Sequence, residues 1–122
     1  MRIIASKDMA AAETGKPDTI PGEEIAELLR QAIRREVRIA AIAKSWQDVY
    51  AGDVTLRIGA YEVVIFNDCD ELDYVDSATA PDGRHGDFDL WWQTQTEPVS
   101  LLTEEERMQL EYRLETAPVI ER

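Results

Sequence analysis

Val54-Thr55-Leu56-Arg57-Ile58-Gly59-Ala60-Tyr61-Glu62-Val63-Val64-Ile65 alternates apolar and polar side chains on both sides of a Gly-X pair. That is the composition of a two-residue hairpin built on a type II′ turn. Successive strand side chains point to opposite faces, so the register follows from the turn. Ile58 pairs with Tyr61 and Arg57 lies opposite Glu62 on one face, while Leu56 meets Val63 and Val54 meets Ile65 on the other. An antiparallel sheet is therefore the expected centre of the fold.

Further strands are read on the C-terminal side of the hairpin. Leu72 and Tyr74 suggest a third after the corner at Asn67 to Asp70, and Phe88, Leu90 and Trp92 suggest a fourth after the turn Pro81-Asp82-Gly83. On the N-terminal side, Ile25, Leu28, Leu29, Ala32, Ile33 and Val37 recur at helical spacing from Pro21 onward. Glu23 and Glu24 open that helix and Arg34, Arg35 and Arg38 close it, each sign suited to its end of the macrodipole. Residues 39–51 resist assignment, because Ala40 to Ala43 could prolong the helix while Trp46, Val49 and Tyr50 read as a packed connection. Thr103-Glu104-Glu105-Glu106 has capping-box spacing, and Leu102, Leu110 and Leu114, with Met108 nearby, give the last helix its apolar stripe as far as about Thr116. The expected fold is α+β, a four-stranded antiparallel meander flanked by an N-terminal and a C-terminal helix packed on one face. Residues 21–118 form the single domain, 1–20 a flexible extension and 119–122 a tail.

Charge is distributed unevenly. Residues 51–100 hold two Lys/Arg against eleven Asp/Glu, so −9 of the formal −12 lies there. A negative region of this kind repels nucleic acid and anionic lipid and attracts basic partners. No run of residues reaches membrane-spanning length, and the early break of the apolar run after Met1 argues against a signal peptide. Cys69 is the only cysteine and His85 the only histidine, which removes disulfide frameworks and two-histidine zinc sites and fits a reducing, cytoplasmic setting. With Leu72, Tyr74, Phe88, Leu90 and Trp92 turned toward the helices, Glu71, Asp73, Asp87 and Asp89 would project together from the other face. Of the adjacent tryptophans, Trp91 would then stand beside them as an aromatic anchor.

The blocks Val49-Tyr50-Ala51-Gly52, Val64-Ile65-Phe66-Asn67-Asp68-Cys69-Asp70-Glu71-Leu72-Asp73-Tyr74, Pro81-Asp82-Gly83-Arg84 and Glu97-Pro98-Val99-Ser100-Leu101-Leu102 resemble a family of small uncharacterised proteins found in pseudomonad genomes. The likeness runs from about Ile25 to Leu114. It implies a bacterial setting and no mechanism. Members carry further cysteines at the positions of Val75 and Ala78, which this chain lacks, so no thiolate metal site is carried over to Cys69.

The first expectation is a non-enzymatic acidic interaction protein, of an inhibitor or anti-defence and immunity type, that uses Glu71, Asp73, Asp87, Asp89 and Trp91 to dock on a basic surface of a protein partner. A nucleic-acid-binding protein is the kind of partner expected, with no cofactor and no direct contact with nucleic acid or membrane. A second reading is a metal-dependent enzyme acting on a phosphate-containing substrate through Asp68, Asp70 and Asp73. The positions that an EF-hand would give to glycine and glutamate are occupied here by Asp73 and Thr79. A third reading is a structural subunit held as a homodimer, for which the first helix supplies apolar material.

Overall fold

A computed structural model describes residues 19–121 of the chain. The elements in order are α1 (Gly22–Ile33), β1 (Ile39–Ile42), β2 (Ala51–Ile58), β3 (Tyr61–Asp68), β4 (Glu71–Thr79), β5 (His85–Asp87), α2 (Phe88–Gln93), a 3-10 turn (Pro98–Leu101), α3 (Glu104–Glu115) and β6 (Val119–Ile120). The fold is α+β, with three α-helices and a six-stranded, mostly antiparallel sheet in the order β5-β4-β3-β2-β1-β6. The expected hairpin forms in the expected register, from Ile58 opposite Tyr61 through Val54 opposite Ile65. Gly59 takes a φ of 58° in its turn, a left-handed conformation that glycine adopts without a Cβ penalty.

The sheet has two strands more than expected. Ile39–Ile42 does not prolong α1, because Arg35 takes a left-handed φ of 63° and ends the helix in a Schellman motif. There the Glu36 N–H donates to the Gln31 carbonyl and the Arg35 N–H to that of Ala32. The chain then reverses, and β1 pairs antiparallel with β2. Residues 119–120, read as tail, pair in parallel with β1. The connection from β1 to β2 is held by Asn67, whose buried side-chain amide donates to the carbonyls of Trp46 (3.0 Å) and Val49 (2.6 Å) while the Trp46 ring enters the core.

At the other end of the domain, residues 1–18 of the expected extension lie outside the described residues. The two that follow belong to the domain. Thr19 bridges to His85, and the fully buried Ile20 donates its N–H to the His85 carbonyl.

The core lies between the helices and the sheet face that carries Val54, Leu56, Ile58, Val63 and Ile65. Ile25, Leu28, Leu29 and Ala32 of α1 and Leu110 and Leu114 of α3 fill it. Each of the leucine and isoleucine side chains contributes about 1.5–3 kcal/mol on full burial. The apolar face of α1, on which the homodimer reading drew, is thus buried within the chain. The Thr103–Glu106 capping box forms as expected, and Glu106 also accepts from Arg30 at 3.2 Å, tying α3 to α1.

β4 is where simple alternation fails. Phe66 pairs with Tyr74 and Asn67 with Leu72, and Val64 pairs with Ser77 while Ile65 pairs with Val75, so Asp73 and Asp76 are each one residue too many. These are β-bulges. They set the buried positions at Leu72, Val75 and Ala78 and turn Tyr74, expected inside, to the outer face against Phe66. β5 pairs only with Ser77 to Thr79. Further along β4, the Leu72 N–H is taken by Glu111 and the Val75 N–H by the buried Glu97, both at 2.8 Å.

Candidate functional site

The fourth strand expected at Phe88, Leu90 and Trp92 is a helix instead, and the strand before it, β5, spans only His85–Asp87. Asp87 is the reason: its Oδ1 accepts the Leu90 N–H at 3.0 Å, capping α2 at its first turn. Phe88 and Trp92, read as alternate strand positions, instead sit one helical turn apart on the same side of α2. Trp91 turns the other way, into the core, where its indole N–H donates to the Ile20 carbonyl at 2.8 Å. Gly86 makes room for that ring, since a Cβ there would lie 2.6 Å from it. The role expected for Trp91 at the surface is therefore corrected: it is 1% exposed, and Trp92, at 67%, is the tryptophan that meets solvent.

These shifts place four aromatic rings in one file across the outer face. Phe66 stacks on Tyr74 with ring centres 5.2 Å apart and planes 11° from parallel. Tyr74 meets Phe88 at 4.6 Å and 50°, and Phe88 stacks on Trp92 at 5.6 Å and 21°. Such pairs contribute about 0.5–1.5 kcal/mol each beyond the area they bury, and of the four rings only Trp92 is exposed.

Carboxylates border the file. Asp53 is the pairing partner of Phe66, Asp73 and Asp76 occupy the bulges, and Asp87 and Asp89 stand at the start of α2. An open groove of about 430 Å³ lies beside the touching Tyr74 and Phe88 rings, lined also by Asp76, Ser77, His85, Asp87 and Asp89. Loss of water contact, and then the Asp76 charge, push the Asp53 carboxyl above the usual carboxylate range. Burial, followed by the fields of Asp76, Asp53 and Asp73, raises the Tyr74 hydroxyl likewise, so it remains a neutral phenol and a donor at physiological pH.

The cations that form ion pairs among the described residues do so elsewhere. Arg30 pairs with Glu27 and Glu106, Arg34 with Glu27 and Glu36, and Arg84 with Glu24 and Asp82. Among the described residues no salt bridge reaches Asp53, Asp73, Asp76, Asp87 or Asp89.

Of the five residues picked from the sequence, Asp87 and Asp89 line the groove and Asp73 lies close enough for its charge to act on Tyr74. Glu71 is set apart, paired with Asp68 at the β3–β4 turn. Asp53, Phe66, Tyr74, Asp76 and Trp92 were missed. The signal available for them was the three-residue spacing of Leu72, Val75 and Ala78, which two extra residues in a strand produce. The alternative metal set is not assembled either. Asp70 lies in the tight turn with Cys69, at φ values of 70° and 55°, and Asp73 in a bulge further on. Among the described residues no group of three or more His, Cys, Asp or Glu side chains is arranged to hold a metal ion.

The model of a protein family described as a domain of unknown function (DUF7693) matches residues 19–116. The chain belongs to this family. The match takes in every element from α1 to α3 and therefore the whole ring file and its carboxylates. No curated protein and no solved structure matches the chain. Among the described residues no helix is long and apolar enough to cross a membrane.

Proposed function

We propose that this chain is a non-enzymatic interaction protein of the bacterial cytoplasm that lays the outer face of its sheet on a basic surface of a protein partner. The observation that carries this reading is the file Phe66–Tyr74–Phe88–Trp92, open to solvent at Trp92 and bordered by carboxylates that no described cation neutralises. Aromatic side chains that lose water on contact supply most of the affinity at protein interfaces, whereas surrounding charges steer encounter and reject wrong partners. Like charges on neighbouring strands cost a few tenths to about 1 kcal/mol per opposed pair, a cost that a cationic partner would remove.

Basic faces of sufficient size belong above all to nucleic-acid-binding proteins. Covering such a face excludes nucleic acid from it, so the proposed consequence is inhibition, in the manner of an anti-defence or immunity protein. The exposed, unpaired Cys69 fits a reducing compartment.

The test is capture from a bacterial lysate at low and high salt, with the wild-type chain and with Asp73→Asn/Asp76→Asn/Asp89→Asn/Trp92→Ala as bait. The expected result is a nucleic-acid-binding protein that is released as salt rises, is lost by the variant and is displaced from its DNA or RNA by the wild-type chain. Equal capture by both baits would end the proposal.

A further inference from the structure

The ring file crosses a seam. Phe66 and Tyr74 stand on the long strands β3 and β4, whereas Phe88 and Trp92 stand on α2, and the halves meet where Tyr74 touches Phe88. The α2 half has little to hold it in place by itself. A helix of six residues is too short to persist alone, and β5 before it pairs with β4 at only three positions. The segment is bracketed by Gly83 and Gln95, with left-handed φ values of 94° and 59°, a conformation that costs the non-glycine residue free energy and that rotation of the segment would relieve. Both brackets adjoin firm anchors: Arg84 is bound by Glu24 and Asp82, and the buried Glu97 holds the N–H groups of Val75, Val99 and Ser100.

Ile20 closes this segment onto the domain. Its N–H donates to the His85 carbonyl at 3.1 Å and its carbonyl accepts the Trp91 indole N–H at 2.8 Å, so one buried residue clasps β5 with one backbone group and α2 with the other. Two bonds that share a residue are lost together. The joint has no slack, since a Cβ on Gly86 would stand 2.6 Å from the Trp91 ring and 2.9 Å from the Ile20 carbonyl oxygen. An open groove of about 420 Å³, lined by Ile20, Gly22, Leu90, Trp91 and Thr96 among others, runs beside it and places the clasp next to the surface.

We infer that β5 and α2 form a flap closed by Ile20, and that this flap opens as one unit while the rest of the domain stays folded. Closure aligns Phe88 and Trp92 with Phe66 and Tyr74. Resting on the docking reading, the closed form alone therefore presents the docking face.

The experiment follows hydrogen exchange of the wild-type chain by NMR as urea is raised below the unfolding transition. The Ile20 and Thr96 amides, the latter bonded to the Trp91 carbonyl, and the Trp91 indole N–H should exchange through one common opening. That opening should occur at least about tenfold more often than the one that exposes the amides of β2 and β3, and depend less steeply on urea. Exchange of these groups only together with β2 and β3, or each at its own rate, would overturn the flap. Gly86→Leu wedges the joint by crowding alone, because the Gly86 φ lies outside the left-handed region. It should hold the flap open: the three N–H groups lose protection and the Tyr74–Phe88 nuclear Overhauser contacts vanish, while β2 and β3 keep their native resonances. It should also lose the capture expected of the wild-type chain. Capture retained with the flap open would overturn the link between flap and docking face and leave the docking reading standing. No capture even by the wild-type chain would end the docking reading, and with it the role of the flap, without altering what exchange shows of the flap itself.

Discussion

The two faces of the sheet handle the same kinds of side chain in opposite ways. On the helical side, three carboxylates are closely matched: Glu24 is held by two nitrogens of Arg84 at 2.8 Å, Glu106 by Arg30 and the Thr103 N–H, and the buried Glu97 by the N–H groups of Val75, Val99 and Ser100. Trp46 and Trp91 are inside, although Tyr112 of α3 is exposed. On the outer side, the half-buried Phe66, Tyr74 and Phe88 lead to the exposed Trp92, and among the described residues no salt bridge reaches Asp53, Asp73, Asp76, Asp87 or Asp89. Pairing and burial are the signature of a region built for stability. Among the described residues no such ion pair is made by the carboxylates that border the ring file, which is what supports the proposal that their complement lies on another molecule.

The adjacent tryptophans separate the two regions most sharply. Trp91→Ala should cost about 3–5 kcal/mol in urea denaturation, because it empties a fully buried site and leaves the Ile20 carbonyl without its donor. Trp92→Ala should cost less than about 1 kcal/mol and still abolish partner capture. Equal costs would mean that the outer file is part of the core.

A smaller effect comes from pH. Hydrogen bonding to Arg84 outweighs burial and, with the Tyr61 hydroxyl, holds the Glu24 carboxyl below its usual range. The stability it provides is therefore present above the ordinary glutamate pKa and is lost as pH falls through the lowered value. Asp53 is shifted the other way, so its penalty is present at neutral pH and is relieved as pH falls through the raised value. Glu24→Gln should accordingly destabilise at neutral pH, on the order of 1 kcal/mol, and Asp53→Asn should stabilise. Both differences should shrink on acidification when thermal melts are compared across the acid range. The same sign for both variants would erase the contrast between the faces.

The smallest effect expected is a gain outside both faces. Arg35→Gly should stabilise the chain by about 0.5–1 kcal/mol in the same denaturation assay, since glycine adopts the left-handed φ at the α1 terminus without a Cβ clash. It should leave capture unchanged.

Much of this was legible in the chain because the signals are local. Gly59-Ala60 between two alternating runs specified the hairpin and its register, and Thr103 three residues ahead of Glu106 specified a helix start. The reading failed where two local signals competed. Asp87 can lie on a strand or cap a helix, and Phe88-x-Leu90-x-Trp92 satisfies strand alternation just as Phe88 and Trp92 satisfy helical spacing. The candidate site shares that ambiguity: charge alone marks Asp73, Asp87 and Asp89, and a strand here would expose Trp91 where the helix exposes Trp92.

Composition and short-range pattern thus determined that the chain is an α+β protein with a hairpin at its centre, an N-terminal helix and a C-terminal helix opened by a capping box, and its acidity gathered in one half. Those properties depend on a residue and its neighbours a few positions away. Which tryptophan is buried, where β4 bulges, and that Phe66, Tyr74, Phe88 and Trp92 form one file were decided only by tertiary structure. Each depends on groups remote in sequence meeting at one point: Ile20 under Trp91, Glu97 and Glu111 at the β4 backbone, Phe66 across from Tyr74. Contacts between distant parts of a chain leave no periodic trace in either part, so the face proposed to carry function appears only once the sheet has closed against its helices.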